Sequence, residues 1–148
     1  MELTKFLALA KTNTYATTEE DDENILDDGC KELKFSKGNF RYRDRYFGSD
    51  PFIGEEIIWK DDKIIWGMNY YGTTTSDIVP VKEIYGFLKT ALQKITQEKP
   101  FRGPENFKNN DFEYLNSSKG DINLFKGEEI IKYKEKEVYK LHYHGGKI

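Results

Sequence analysis

Three carboxylates fall where strand alternation points them at aromatic surfaces: Asp44, Glu55 and Glu128. Asp44 lies in the stretch FRYRDRYF (Phe40 to Phe47). Read as a strand, one face holds Phe40, Tyr42, Asp44 and Tyr46, and the other holds Arg41, Arg43, Arg45 and Phe47. Glu55 lies in a hairpin pattern with Asp61-Asp62 at its turn. That pairing puts Ile53, Glu55, Ile57, Trp59, Ile64, Trp66, Met68 and Tyr70 on one inward face. Glu128 takes the corresponding place beside Ile130, Tyr139, Leu141 and Tyr143. A carboxylate on a core face must be paired, hydrogen-bonded or neutral, because an unpaired buried charge is strongly unfavourable. Three uses are open: structural anchors, holders of a cationic or hydrogen-bond-donating ligand within aromatic walls, or general acids and bases. The candidate ligand-binding set is Tyr42, Asp44, Tyr46, Glu55, Trp66, Tyr70 and Glu128.

Other chemistry is sparser. Glu56 and Glu129 fall on the opposite hairpin face with Ile58 and Ile131, where they could pair with Arg41, Arg43 or Arg45 in a cross-strand charge ladder. His142-x-His144 places two imidazoles on one strand face, with Glu129 as the supplementary ligand in reach. A metal site needs more donors than this, so none is expected. Cys30 has no convincing catalytic partner. An anion or phosphate site at the arginines is the lesser alternative, because no glycine-rich loop accompanies them. No nucleophile–base motif is visible, which weighs against an enzyme, and no cofactor is implied.

The elements that must position these residues occur twice. FIGEEIIWKDDKIIWGMNYYG (Phe52 to Gly72) and FKGEEIIKYKEKEVYKLHYHG (Phe125 to Gly145) align without a gap. Upstream, Phe40-x-Tyr42 corresponds to Phe112-x-Tyr114 after a one-residue slip. Leu3, Phe6, Leu7 and Ala10 correspond to Ile84, Phe87, Leu88 and Ala91 at helical spacing. Each copy reads as an amphipathic helix, a strand and a hairpin. The first helix spans about Leu3 to Lys11. The second opens at Pro80, carries an apolar stripe to Ile95, and is stopped by Pro100-Phe101-Arg102-Gly103-Pro104. The first copy also holds an acidic run, Glu19 to Glu23. The expected fold is a single α+β domain over 1–148, with repeats near 1–79 and 80–148. Its mostly antiparallel sheet is covered by two helices about a pseudo-twofold axis.

Composition sets bounds. At 148 residues and a net charge of −3, one compact domain is expected, and nucleic acid is not the expected partner. One cysteine and the absence of a long apolar run point to a cytoplasmic protein without membrane attachment. The exposed hairpin faces leave room for a homodimer or another protein partner.

YRDRYFG (Tyr42 to Gly48), PFIGEE (Pro51 to Glu56), WGMNYYG (Trp66 to Gly72), KPFRGP (Lys99 to Pro104) and YHGG (Tyr143 to Gly146) resemble a family of bacterial proteins known as a domain of unknown function. Its members stand alone or follow a helix-turn-helix segment, for which this sequence has no room. The resemblance implies a bacterial cytoplasmic protein in a regulatory context and supplies no catalytic residues. The duplicated layout also resembles the α+β sensor domains of multidrug-responsive regulators, at the level of architecture alone. The reading is a small-molecule-binding or sensory module. An enzyme using a buried carboxylate and a protein-interaction domain are the alternatives.

Overall fold

A computed structural model describes residues 1–16 and 24–148, so the acidic run at Glu19–Glu23 lies outside the described residues. The elements are α1 (Leu3–Thr12), β1 (Asn24–Ile25), β2 (Lys31–Lys37), β3 (Phe40–Gly48), β4 (Phe52–Lys60), β5 (Lys63–Thr74), α2 (Val81–Leu92), β6 (Asn106–Asn109), β7 (Phe112–Asp121), β8 (Leu124–Tyr133) and β9 (Lys136–Lys147). The nine strands of the described residues form one antiparallel sheet in the order β1-β2-β3-β4-β5-β9-β8-β7-β6. The fold is α+β and mostly sheet. The two hairpins of similar sequence, β4–β5 and β8–β9, lie side by side at its centre and join through β5 and β9.

Both helices cover one face. Phe6 of α1 stacks on Phe40 with ring centroids 4.8 Å apart, and Phe87 of α2 stacks on Phe112 at 4.9 Å. Spacing explains this. Ile84, Phe87, Leu88, Ala91 and Leu92 form a buried stripe, with Glu83 in the first turn and Lys89 in the last. The stripe of α1 is Phe6, Leu7 and Ala10, and Lys11 is buried next to it. Among the described residues no helix is long and apolar enough to cross a membrane.

The expected hairpin turn is present. Asp61 and Asp62 both have positive φ, 49° and 63°, as do Lys134 and Glu135 in the second hairpin, 46° and 69°. Two such residues make the turn whose twist matches that of its strands. The face assignment beyond the turn is reversed, however. Trp59 pairs with Ile64, but the next partners are Ile58 and Trp66, so Ile65 is an extra residue on β5. The same bulge recurs where Ile131 pairs with Tyr139 and Lys132 with Glu137, leaving Val138 extra. One inserted residue flips every position of the opposite strand to the other face. Trp66, Met68 and Tyr70 therefore point inward as expected, but on β4 their companions are Phe52, Gly54, Glu56 and Ile58. Ile53, Glu55, Ile57 and Trp59 point away from the helices, and Ile53 is 54% exposed.

Candidate functional site

The buried carboxylates are Asp44, Glu56 and Glu129; Glu32 on the flank is also buried. Asp44 lies on the inward face of β3, as the alternation of that strand requires. Glu55 and Glu128 do not join it. The bulges turn both to the uncovered face, where Glu55 lies 3.6 Å from Arg43, and Glu128 lies 3.5 Å from Lys140 and 3.6 Å from His142. Glu56 and Glu129 take the inward places. The arginine ladder does exist, but its acids differ from those expected. Arg45 pairs with Glu32 at 2.8 Å and Arg41 with Asp62 at 3.0 Å, while Arg41 and Arg43 cover the Trp59 ring. Hydrogen bonds from Lys34 and Arg45 hold the Glu32 carboxyl below the usual range.

Each inward glutamate is held by one cation and by tyrosine. Lys11 reaches Glu56 Oε2 at 2.9 Å and also donates to the Phe101 carbonyl, while the Tyr42 hydroxyl donates to Glu56 Oε1. Arg102 Nη2 donates to Glu129 Oε1 at 2.9 Å. Tyr114 donates to Glu129 Oε2 at 2.5 Å, and Tyr139 donates to Oε1 at 3.1 Å. The loop after α2 delivers Arg102 into the centre of the covered face, where its guanidinium also lies 5.7 Å from the Tyr70 ring centroid. Gly103 N–H donates to the Tyr114 hydroxyl, which fixes that loop against β7.

Beside the first of these clusters, opposite Glu56 in the β3–β4 ladder, lies Asp44, which accepts from the Tyr70 hydroxyl at 2.5 Å. Among the described residues no lysine or arginine reaches ion-pair distance of it. Burial, and then the nearby charge of Glu56, raise its carboxyl to about 7. Burial also lowers the Lys11 ammonium against the pull of Glu56, and raises the Tyr42 and Tyr70 hydroxyls well above their ordinary value. Burial opposes the charge of Arg102, but the attraction of Glu129 outweighs it, and the guanidinium stays firmly protonated.

Asp44, Glu56, Tyr42, Lys11 and Arg102 line a small cavity, with Ala16, Leu92 and Ile95 on its apolar side. Its free volume is about 20 Å³, room for about one water molecule. Of the expected set, Tyr42, Asp44 and Tyr70 converge here. Tyr46 is buried one step along β3, edge-on to Tyr15 at 6.2 Å. Trp66 is engaged elsewhere, donating to the Ile122 carbonyl at 3.1 Å and stacking on Phe125 at 5.6 Å. Lys11, Glu56, Arg102 and Glu129 escaped the sequence reading as site residues. The glutamates were visible as shared positions, but their face depended on a bulge. Arg102 lies in a segment whose sequence signals a helix stop and gives no inward direction.

His142 and His144 are exposed on the outer face, and Glu129, expected as their companion, is buried on the other side. Among the described residues no group of three or more histidine, cysteine, aspartate or glutamate side chains has a metal-holding arrangement. Cys30 is buried, and burial, followed by the charge of Asp28, raises its thiol above the ordinary value, so the reactive thiolate is disfavoured.

An antiparallel sheet covered on one face by helices, with ionisable groups gathered beneath them, is the architectural class. Within it, the chain belongs to the family described as a domain of unknown function, DUF5680, which matches residues 44–148. No curated protein and no solved structure matches the chain. The family match includes Asp44, Glu56, Arg102 and Glu129, whereas Lys11 and Tyr42 precede it.

Proposed function

We propose that this protein is a small-molecule-binding, sensory module whose ligand site is the cavity at Asp44. The observation that carries this reading is the convergence there of Lys11 from α1, Tyr42 and Asp44 from β3, Glu56 from β4 and Arg102 from the loop after α2. A purely structural core gains little from burying so many ionisable groups, since apolar packing of the same volume is commonly as stable. Leu92, the last residue of α2, lines the cavity, so a ligand that displaced it would link occupancy to the position of α2 and give the module a means of signalling. The test is untargeted mass spectrometry of metabolites released from purified protein, followed by thermal melts of wild type and Asp44→Asn with the metabolite found. Retention of a metabolite that stabilises wild type but not the variant supports the reading. Equal stabilisation of both removes Asp44 from the site.

We also infer that the two halves are copies of one unit related by a pseudo-twofold axis passing between β5 and β9. Supporting this, Asp44 is opposite Glu56 in the β3–β4 ladder as Asn116 is opposite Glu129 in β7–β8. Tyr42 bonds to Glu56 as Tyr114 bonds to Glu129, and Tyr70 bonds to Asp44 as Tyr143 bonds to Asn116. A cytoplasmic setting agrees with the single cysteine, and a bacterial origin with the sequence resemblance.

A second reading, an enzyme, is favoured by the burial of Asp44 opposite Glu56, which raises its carboxyl to about 7 and so matches it to proton transfer near neutrality. The interaction reading, whose patch on the first hairpin would comprise Ile58, Ile65 and Tyr71, loses part of it because Ile58 is fully buried, although Tyr71 remains exposed on the uncovered face.

A further inference from the structure

We propose that the cavity beside Asp44 binds one small monovalent cation, the protonated head of a primary amine or a bare metal ion, an inference that rests on the ligand-binding reading above. The buried charges at the centre of the covered face do not balance. Lys11 and Arg102 are the two cations, and Asp44, Glu56 and Glu129 are the three acids, all at most 8% exposed. Lys11 is committed to Glu56 and the Phe101 carbonyl, and Arg102 to Glu129, which among the described residues leaves Asp44 as the acid without a counterion.

The corresponding position in the second half shows what Asp44 lacks. Asn116 accepts from the Tyr143 hydroxyl through Oδ1 at 2.7 Å, and its Nδ2 donates to the Gly103 carbonyl at 2.9 Å. Asp44 makes the first of these bonds, from Tyr70 at 2.5 Å. An ionised aspartate has no donor with which to make the second. Where the asparagine presents a donor to a carbonyl, Asp44 presents a carboxylate to a cavity. A cation there supplies both the missing charge and the missing hydrogen-bond or ligand contact. The free volume of about 20 Å³ restricts the bound part to a single small head group or ion.

The polar groups facing Asp44 or lining its cavity are Tyr42 on its own strand, Glu56 on β4, Tyr70 on β5, Lys11 on α1, Thr14 and Tyr15 just after α1, and Arg102 on the loop after α2. The negative charge of Glu56 favours the cation, whereas Lys11 and Arg102 oppose it. A proton competes for the same oxygen, since the Asp44 carboxyl is raised to about 7 by burial and Glu56. Binding is therefore stronger above neutrality than below it.

Thermal melts in methylammonium, potassium and tetramethylammonium chlorides at equal ionic strength, at about pH 8 and about pH 5.5, test this. The expected result is a rise of several degrees at the higher pH in methylammonium or potassium, none in the bulkier tetramethylammonium, and a smaller rise at the lower pH. A rise in methylammonium alone identifies an amine ligand, and a rise in potassium alone identifies a metal ion. Asp44→Asn should lose the rise. Calorimetric titration of wild type with the active cation, in buffers of different ionisation enthalpy near neutral pH, should show proton release without needing any variant to fold. Equal melts in all three salts, an undiminished rise in Asp44→Asn, or binding without proton release would overturn the proposal. A neutral or anionic metabolite retained by a protein indifferent to all three salts would overturn it and leave the ligand-binding reading standing.

Discussion

Tyr70 and Tyr143 stand directly opposite each other in the β5–β9 ladder, and each is paired across its own hairpin with a glycine, Gly54 and Gly127. A methyl group at Gly54 would lie 2.5 Å from both the Tyr70 hydroxyl and the Arg45 carbonyl. At Gly127 the three nearest atoms, the closest at 2.2 Å, all belong to the Tyr143 side chain. A backbone carbonyl cannot give way as a ring can. Gly54→Ala should therefore cost about 1–3 kcal/mol or more, and Gly127→Ala should lie at the low end of that range. Urea unfolding of the two variants measures the difference, and equal costs would mean that the backbone contact is unimportant.

Asp44 makes stability depend on pH in an unusual direction. Its carboxyl titrates at about 7 in the folded protein, against about 3.9 unfolded. Between those values the folded state binds more protons, so this group's contribution falls as pH rises through the window and is wholly lost above it. Subtracting the stability of Asp44→Asn from that of wild type at each pH should give a difference declining from about pH 4 to about pH 7. A flat difference would show that Asp44 is ionised throughout.

The four glutamates of the central hairpins should separate into two classes. Lys11→Met and Arg102→Met each strand a buried acid, and each should cost about 3–5 kcal/mol. Glu55→Gln and Glu128→Gln touch only partly exposed ion pairs and should remain within about 0.5 kcal/mol of wild type. Combining Lys11→Met with Glu56→Gln should recover much of the loss, because both charges are then removed. Chemical denaturation of this set tests the assignment of faces directly.

His142 and His144 should be dispensable for folding. Treatment with a chelator should leave the melting curve unchanged, and the double alanine variant should lie within about 0.5 kcal/mol of wild type, since both side chains are exposed. Stoichiometric metal that disappears in the double variant would contradict this.

Much of the architecture was legible because periodicity is a local signal. Ile84, Phe87, Leu88 and Ala91 announced α2, and Phe40-x-Tyr42-x-Asp44-x-Tyr46 announced the inward face of β3. The β4 face was not legible, because it depends on Ile65 standing unpaired on a different strand, which no pattern within Phe52–Lys60 encodes. Counting outward from a correct turn therefore gave the wrong glutamate. Arg102 illustrates a second limit: its partners Glu129 and Tyr70 come from distant parts of the chain, and loop residues carry no period from which an inward direction could be read.

The junction of β5 with β9 also bears on how the chain is made. During synthesis the β2–β5 meander can form before the strand that covers β5 exists, because α2 and β6–β8 must be translated first. Until β9 arrives, β5 offers an open edge of backbone donors and acceptors, flanked by tyrosines of high strand propensity. A nascent or truncated chain therefore carries its most adhesive surface at what becomes the centre of the finished sheet. Bringing Tyr143 to Tyr70 closes a long loop, whose entropic cost must be met before the β5–β9 contacts offset it.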